Sequence, residues 1–249
     1  MRKRFLACVA GFAMAGLMMA QPRPKTQKEA DGFNAILQAT TADAKIAAAD
    51  KFVTSFADSK LKSLALTLAA QAAQAKNDSA KAITYAETAL ETDPKDYQAM
   101  LVISGELAKT TRENDLDKEE KLAKSEKMAR DAMSAVDTAE KFNPQITDDQ
   151  WAAYKKDMKS QAHEDLGLAA LARKKYDVAI AEFKTSVDDA AQPDPATMVR
   201  LASSYDLAGK PDDGIAVLDK VLAMPNLNPV IKQYATSEKA RAQQAKNKK

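Results

Sequence analysis

His163 is the only histidine and Cys8 the only cysteine among 249 residues, so acid–base, nucleophilic and metal chemistry have few centres to work from. A Ser-His-Asp or Cys-His set needs a base held beside a nucleophile, and one histidine with one early cysteine does not supply it. A transition-metal site draws on three or four ligands, so a lone histidine is a poor basis for one. The glycine-rich phosphate cradles GxxxxGK[ST] and GxGxxG do not occur. Carboxylates do come in pairs, Asp148-Asp149, Asp188-Asp189 and Asp212-Asp213. Each lies beside an expected helix end; the first and last suit the helix dipole, and Asp188-Asp189 reads as a solvated end. Asp115-x-Asp117-x-Glu119 alternates like a calcium loop but lacks the glycine and the spaced terminal glutamate. No catalytic, cofactor-binding or metal-ligating residue is assigned. The expected chemistry is non-covalent binding.

The elements that would present a binding surface are helices. Fifty alanines against seven glycines favour helix. An apolar share of 45% is enough for a buried core, and 29% charged residues exclude a membrane-embedded protein.

The first twenty residues read as a secretory signal. Arg2, Lys3 and Arg4 precede an apolar run from Phe5 to Ala20, and Gln21, Pro22, Arg23 and Pro24 follow. The expected cleavage lies between Ala15 and Gln21, and the run is short for a membrane span. The expected location is the periplasm, with an inner-membrane anchor as the alternative should cleavage not occur. Removing residues 1–20 leaves 34 basic against 35 acidic residues and no cysteine. Five of those basic residues (Lys239, Arg241, Lys246, Lys248, Lys249) fall in 239–249, leaving 29 against 35 for residues 21–238. That balance argues against a nucleic-acid partner. The basic tail reads as a solvated end or, alternatively, a contact for an anionic surface.

A repeat organises the rest. His163-x-x-Leu166-Gly167-x-x-Ala170 is followed by Ala179-x-x-x-Phe183-x-x-Ser186, with Arg173 to Asp177 as a turn. Met198-x-x-Leu201-Ala202-x-x-Tyr205 is followed by Gly214-x-x-x-Leu218-x-x-Val221, with Ala208 to Asp212 as the turn. Gly167 and Ala202 stand 35 residues apart, and each small residue precedes a second one by twelve. An earlier unit places Ala70 and Ala82 in these slots, with Lys76 to Ser79 as the turn, and the next places Ser104 there, its second half displaced to Ser125, Ala129 and Ala132. A degenerate unit, Phe33-x-x-Ile36-Leu37 and Ala49-x-x-x-Val53-x-x-Phe56, comes first. The spacing has a packing reason. A second helix crosses close to the small residue of the first, so both need Ala, Gly or Ser at the crossing.

This pattern resembles the tetratricopeptide repeat, whose signature is W-x2-L-G-x2-Y, then A-x3-F, then P. The likeness spans roughly residues 30–226, and no unit carries the tryptophan of the first slot. The end of the degenerate unit, Phe52 to Ser59, also looks like repeat ends of outer-membrane-protein assembly lipoproteins. The resemblance implies an all-α fold, a right-handed α-solenoid of antiparallel helix pairs. It would hold four to five repeats, in units 30–62, 63–96, 97–143, 144–193 and 194–227, with a capping helix at 228–238 and an extended segment at 21–29. The prolines from Pro94 onward fall between expected helices or at their starts. Thr147-x-x-Gln150 reads as a capping box for a helix running to about Ala172. Residues 109–127 carry six charges of each sign and read as a solvated hairpin with i,i+4 pairs.

In related repeats the inner face of each first helix forms a concave groove. The resemblance nominates Leu64, Thr67 and Gln71; Gln98, Leu101 and Gly105; Gln161, Glu164, Leu168 and Leu171; and Val199, Ser203, Asp206 and Leu207. Family members that clamp a partner's terminal carboxylate use Lys, Asn and Arg there. Thr67, Leu101, Glu164 and Val199 stand at those places in this chain. The expected partner is therefore a peptide or protein held in a mixed apolar and weakly acidic groove, with no cofactor. The expected role is a non-enzymatic scaffold in the cell envelope. Two other readings stay open: a permanent subunit of an envelope-biogenesis complex, and an enzyme of helical-toroid type.

Overall fold

The computed structural model describes residues 23–247; the signal segment lies outside the described residues. Eleven helices and no strand occur among the described residues. They are α1 (Gln27–Gln38), α2 (Ala42–Ser55), α3 (Lys62–Ala75), α4 (Ser79–Thr92), α5 (Tyr97–Thr110), α6 (Lys118–Thr138), α7 (Asp148–Ala172), α8 (Tyr176–Asp189), α9 (Pro195–Leu207), α10 (Pro211–Leu222) and α11 (Pro229–Asn247). The fold class is all-α, built from helix pairs of the tetratricopeptide type. The chain forms two compact units. One comprises the residues up to Glu106 with Ser134–Ala152; the other comprises Leu107–Met133 with the residues from Ala153 onward.

In the first unit, α2 packs on α1 and α3, and α3 on α4. Ile36, Ala49, Phe52, Leu61, Ala65 and Ala69 form a core flanked by Phe33 and Phe56. In the degenerate repeat the deeply buried residue is Phe52, while Val53 is only half-buried. Phe33 meets Phe52 edge-on at 5.7 Å between ring centroids. The capping box forms as expected. The Thr147 amide donates to Gln150 Oε1 at 3.0 Å, and the Gln150 amide to Thr147 Oγ1 at 3.2 Å. Asp96 starts α5 by accepting the Gln98 and Ala99 amides at 3.1 and 3.0 Å, while its other oxygen accepts the Thr67 and Ser63 hydroxyls.

In the second unit, α9 packs against α8, α10 and α11. Phe183, Ala179 and Ala170 lie in one core cluster, and Leu218, Val221, Ala202 and Ala235 in the next. The small-residue pairing of Ala202 and Gly214 is a true close approach. A Cβ on Gly214 would lie 2.9 Å from the Ala202 carbonyl oxygen.

The helix-to-helix turns repeat one device in both units. Asn77, Lys174 and Gly209 adopt φ of 61°, 59° and 74°. The next amide in each case bonds back five residues: Asp78 to Ala73 at 3.0 Å, Lys175 to Ala170 at 2.9 Å and Lys210 to Tyr205 at 2.9 Å. These are Schellman caps, and each left-handed residue stands seven after the small residue of its repeat.

Two expectations are corrected. Residues 109–127 are largely solvated and carry one of the expected i,i+4 pairs, Lys121 with Asp117 at 2.9 Å, but they do not extend as a free hairpin. Helix α5 stops at Thr110 and α6 starts at Lys118, and the acids of this insert fold onto the turn after α7. Arg173 donates to Glu119 at 2.7 Å and Glu126 at 2.6 Å, and Lys174 pairs with Glu113 at 3.0 Å. The basic stretch from 239 is not a frayed end as far as Asn247. It is the last part of α11, and its cations meet acids of the same unit. Lys239 pairs with Asp219, Arg241 with Asp206 and Glu238, and Lys246 with Asp212.

Candidate partner-binding groove

Helices α7, α9 and α11 take the first-helix role in successive repeats of the second unit. At their C-terminal ends and along α11 they border an open groove of about 340 Å³. Leu171, Ala172, Lys174, Tyr176, Ser203, Leu207, Tyr234, Glu238, Arg241 and the insert's Glu113 line it. Leu207 is 47% and Tyr234 57% exposed, high values for large apolar side chains. A second depression along Tyr176, Val178 and Leu207 continues it.

Three of the nominated residues, Leu171, Ser203 and Leu207, come together here. The polar members are tied across repeats. Glu164 accepts from Arg200 at 2.7 Å, the Ser203 hydroxyl donates to Glu238 at 2.6 Å, and Asp206 accepts from Arg241 at 3.1 Å. Leu168 packs half-buried against the Phe183 cluster, and Gln161 is half-buried on α7.

Four nominations are corrected. Thr67, Leu101 and Val199 are buried, each three residues before the small residue of its repeat, and Gly105 is buried as well. Being buried, they offer no surface; the Thr67 hydroxyl is consumed by Asp96 at 2.7 Å. Leu64, Gln71 and Gln98 are half-buried on α3 and α5 in the first unit, whereas the groove is lined by residues of the second.

Sequence reasoning missed Tyr234, Glu238 and Arg241. They stand 35 residues after Val199, Ser203 and Asp206, so extending the repeat period one step into α11 would have found them. Glu113 and Lys174 belong to the insert and the turn, and Tyr176 opens the second helix α8, so no first-helix register applies to them.

The far wall of the groove is held by charge. Hydrogen bonds from Lys118 and Lys174 keep the Glu113 carboxyl below its ordinary value, and the bond to Glu113 raises Lys174. The acids of the Asp115-x-Asp117-x-Glu119 run are engaged by cations. Lys121 bonds Asp115 and Asp117 at 3.3 and 2.9 Å, and Arg173 takes Glu119. Among the described residues no cluster of three metal-ligating side chains occurs. His163 Nδ1 lies 2.6 Å from Glu182 Oε2, in a structural contact between α7 and α8. No described helix is long and apolar enough to cross a membrane.

The tetratricopeptide repeat family model matches residues 67–105, 152–195 and 164–231. The chain is similar to a solved thermophilic TPR protein of Thermus thermophilus. They share 16% identity over 84% of this chain and 98% of that one, with a TM-score of 0.60. A tetratricopeptide repeat protein of Parabacteroides merdae is 15% identical over 89% and 90% of the two chains, with a TM-score of 0.38. No curated protein matches the sequence.

Proposed function

We propose that this chain, a tetratricopeptide repeat protein, is a non-enzymatic scaffold of the cell envelope that holds a peptide or protein partner in the groove of its second unit. The carrying observation is the groove itself. Exposed Leu207 and Tyr234 sit beside Leu171 within a border of Ser203, Glu238, Arg241, Lys174 and Glu113. An apolar floor with a polar rim is what a docked segment uses: burial of its side chains drives binding, and the rim sets orientation.

In vivo photo-crosslinking tests this. A photoreactive amino acid at Leu207 or Tyr234 should capture a discrete partner, and one at exposed Ala216 of α10 should not. Equal adducts at all three positions, or none at 207 and 234, would overturn the groove. An adduct that stays stoichiometric through purification would favour a permanent complex subunit over a releasable adaptor.

The envelope location rests on Arg2 to Arg4 followed by Phe5 to Ala20. Mass spectrometry of the periplasmic fraction should find a new N-terminus between Ala15 and Gln21. An intact Met1 form held in the inner membrane would replace the soluble scaffold with a tethered one.

A further inference from the structure

At one end of the groove a single lining cation, Arg241, is shared between the lining Glu238 and a second carboxylate outside the lining, Asp206. Asp206 and Glu238 have side chains only 12% and 9% exposed, and both are served by Arg241, at 3.1 and 2.7 Å. Beyond that guanidinium, Glu238 accepts the neutral Ser203 hydroxyl at 2.6 Å. Two shielded carboxylates thus face one half-exposed cation. At the other end Glu113 is matched by Lys118 and Lys174, both at 3.0 Å. The floor between, Leu171, Leu207 and Tyr234, is apolar and open.

From this asymmetry we infer that the occupant is a partner segment presenting a lysine or arginine beside a large aliphatic or aromatic side chain. The inference rests on the groove being the partner site. The apolar side chain covers Leu171 and Leu207. The cation meets Glu238 on the groove border, whose own cation is shared with Asp206 and where low exposure limits screening by water and salt, with the Tyr234 ring in the same groove as a cation–π surface. An acidic segment would add a third negative charge to that end and is excluded by repulsion.

The test uses fluorescein-labelled peptides of one length on the purified protein, read by anisotropy in about 150 mM salt. One repeats Leu and Lys, one Leu and Gln, one Leu and Glu, and one Ser and Lys. The Leu–Lys peptide should bind about tenfold tighter than Leu–Gln, with Leu–Glu weaker still and Ser–Lys not detected. Glu238→Gln should bring Leu–Lys and Leu–Gln to similar affinity. Asp206→Asn should narrow the same gap, and serves alone if Glu238→Gln fails to fold. Leu207→Ser should abolish Leu–Lys binding. The inference is overturned if Leu–Gln or Leu–Glu binds as well as Leu–Lys, or if no peptide binds. It is also overturned if the preference survives the carboxylate variants, or if Leu–Lys binding survives Leu207→Ser. Each of these failures leaves the crosslinks at 207 and 234 untouched, so the charge preference and the groove can fail separately.

Discussion

The ring of Phe183 fills the space that a side chain at Gly167 would need. Its Cδ1 and Cε1 lie 2.7 Å from where a Cβ would stand on that glycine. What such a Cβ would meet first is therefore the ring on the facing helix rather than Ala179, the small residue twelve positions on. The tight fit joins α7 to α8 inside one repeat, and Phe183 is fully buried there.

Gly167→Ala should lower stability by about 1–3 kcal/mol, because the ring is buried and has little room to retreat. Phe183→Ala alone should cost about 3–5 kcal/mol through the cavity it leaves. The two changes together should cost less than their sum by about 0.5–3 kcal/mol, since the cavity accepts the new methyl. Urea melts of the four proteins check this. Strict additivity would mean that Phe183 does not set the requirement for glycine.

The local devices were legible in the sequence and the long-range ones were not. The turns at Asn77, Lys174 and Gly209 and the Thr147–Gln150 box depend on neighbours within a few residues, so spacing reveals them. The crossing of Ala202 and Gly214 follows from two small residues twelve apart. The groove was half legible. Leu171, Ser203 and Leu207 lie in it, but Thr67, Leu101 and Val199 share the same kind of register and are buried. Whether such a residue faces a neighbouring helix or open space depends on what the next repeat places against it. Tyr234 and Arg241 sit on a helix whose polar sequence reads as a cap, and Glu113 sits where an insert breaks the period.

The Schellman turns should respond to glycine with opposite signs. Gly209 holds φ of 74°, so Gly209→Ala should destabilise by about 1–2 kcal/mol. Lys174 holds φ of 59° with a Cβ present. Lys174→Gly relieves about 1–2 kcal/mol of left-handed strain and returns about 0.5–1 kcal/mol through the freer unfolded chain. The ion pair to Glu113 is exposed on both sides and adds little. The net should be a gain of about 0.5 kcal/mol, less whatever that pair contributed. Thermal melts moving in the same direction for both variants would contradict the shared turn geometry.

Acid should loosen the first unit through Glu29. Its buried carboxyl accepts the Ser59 hydroxyl and the Lys25 amide, and its own amide donates to Thr26 Oγ1 at 3.1 Å, capping α1. The Ser59 hydrogen bond is the chief cause of a pKa below the ordinary 4.5, and it outweighs the opposing effect of burial. A lowered folded value means the unfolded chain takes up the proton first as pH falls. The stabilisation is therefore complete above about 4.5 and is lost as pH drops through the folded value. Other carboxyls also lie below their ordinary values, so the readout is a difference. Between neutral pH and a pH below 4, wild type should lose more of its urea midpoint than Glu29→Gln does. Parallel losses would remove Glu29 from the acid response.

Arg173 should act as the rivet that keeps the charged insert against the turn after α7. Its side chain is only 10% exposed, and its Nε and Nη1 reach Glu119 and Glu126 on α6 at 2.7 and 2.6 Å. Next to it, Lys174 takes Glu113 from the loop before α6. The exposed pairs of the insert are each worth well under about 1 kcal/mol, so the shielded guanidinium with two partners should dominate. Arg173→Met keeps the apolar stem and removes both pairs. It should release the loop with little change in overall stability, because the insert's apolar anchor, Leu122, is fully buried. Cleavage after exposed Glu113 by a glutamate-specific protease should then run about fivefold faster, matching the loss of about 1 kcal/mol from local closure. Arg173→Lys should fall between, since one ammonium does not fork to two carboxylates. About 1 M sodium chloride should speed cleavage of the wild type and change the methionine variant less. Equal cleavage of wild type and Arg173→Met at low salt would show that the insert is held by something other than this arginine, and the Glu113 wall of the groove would then need another support.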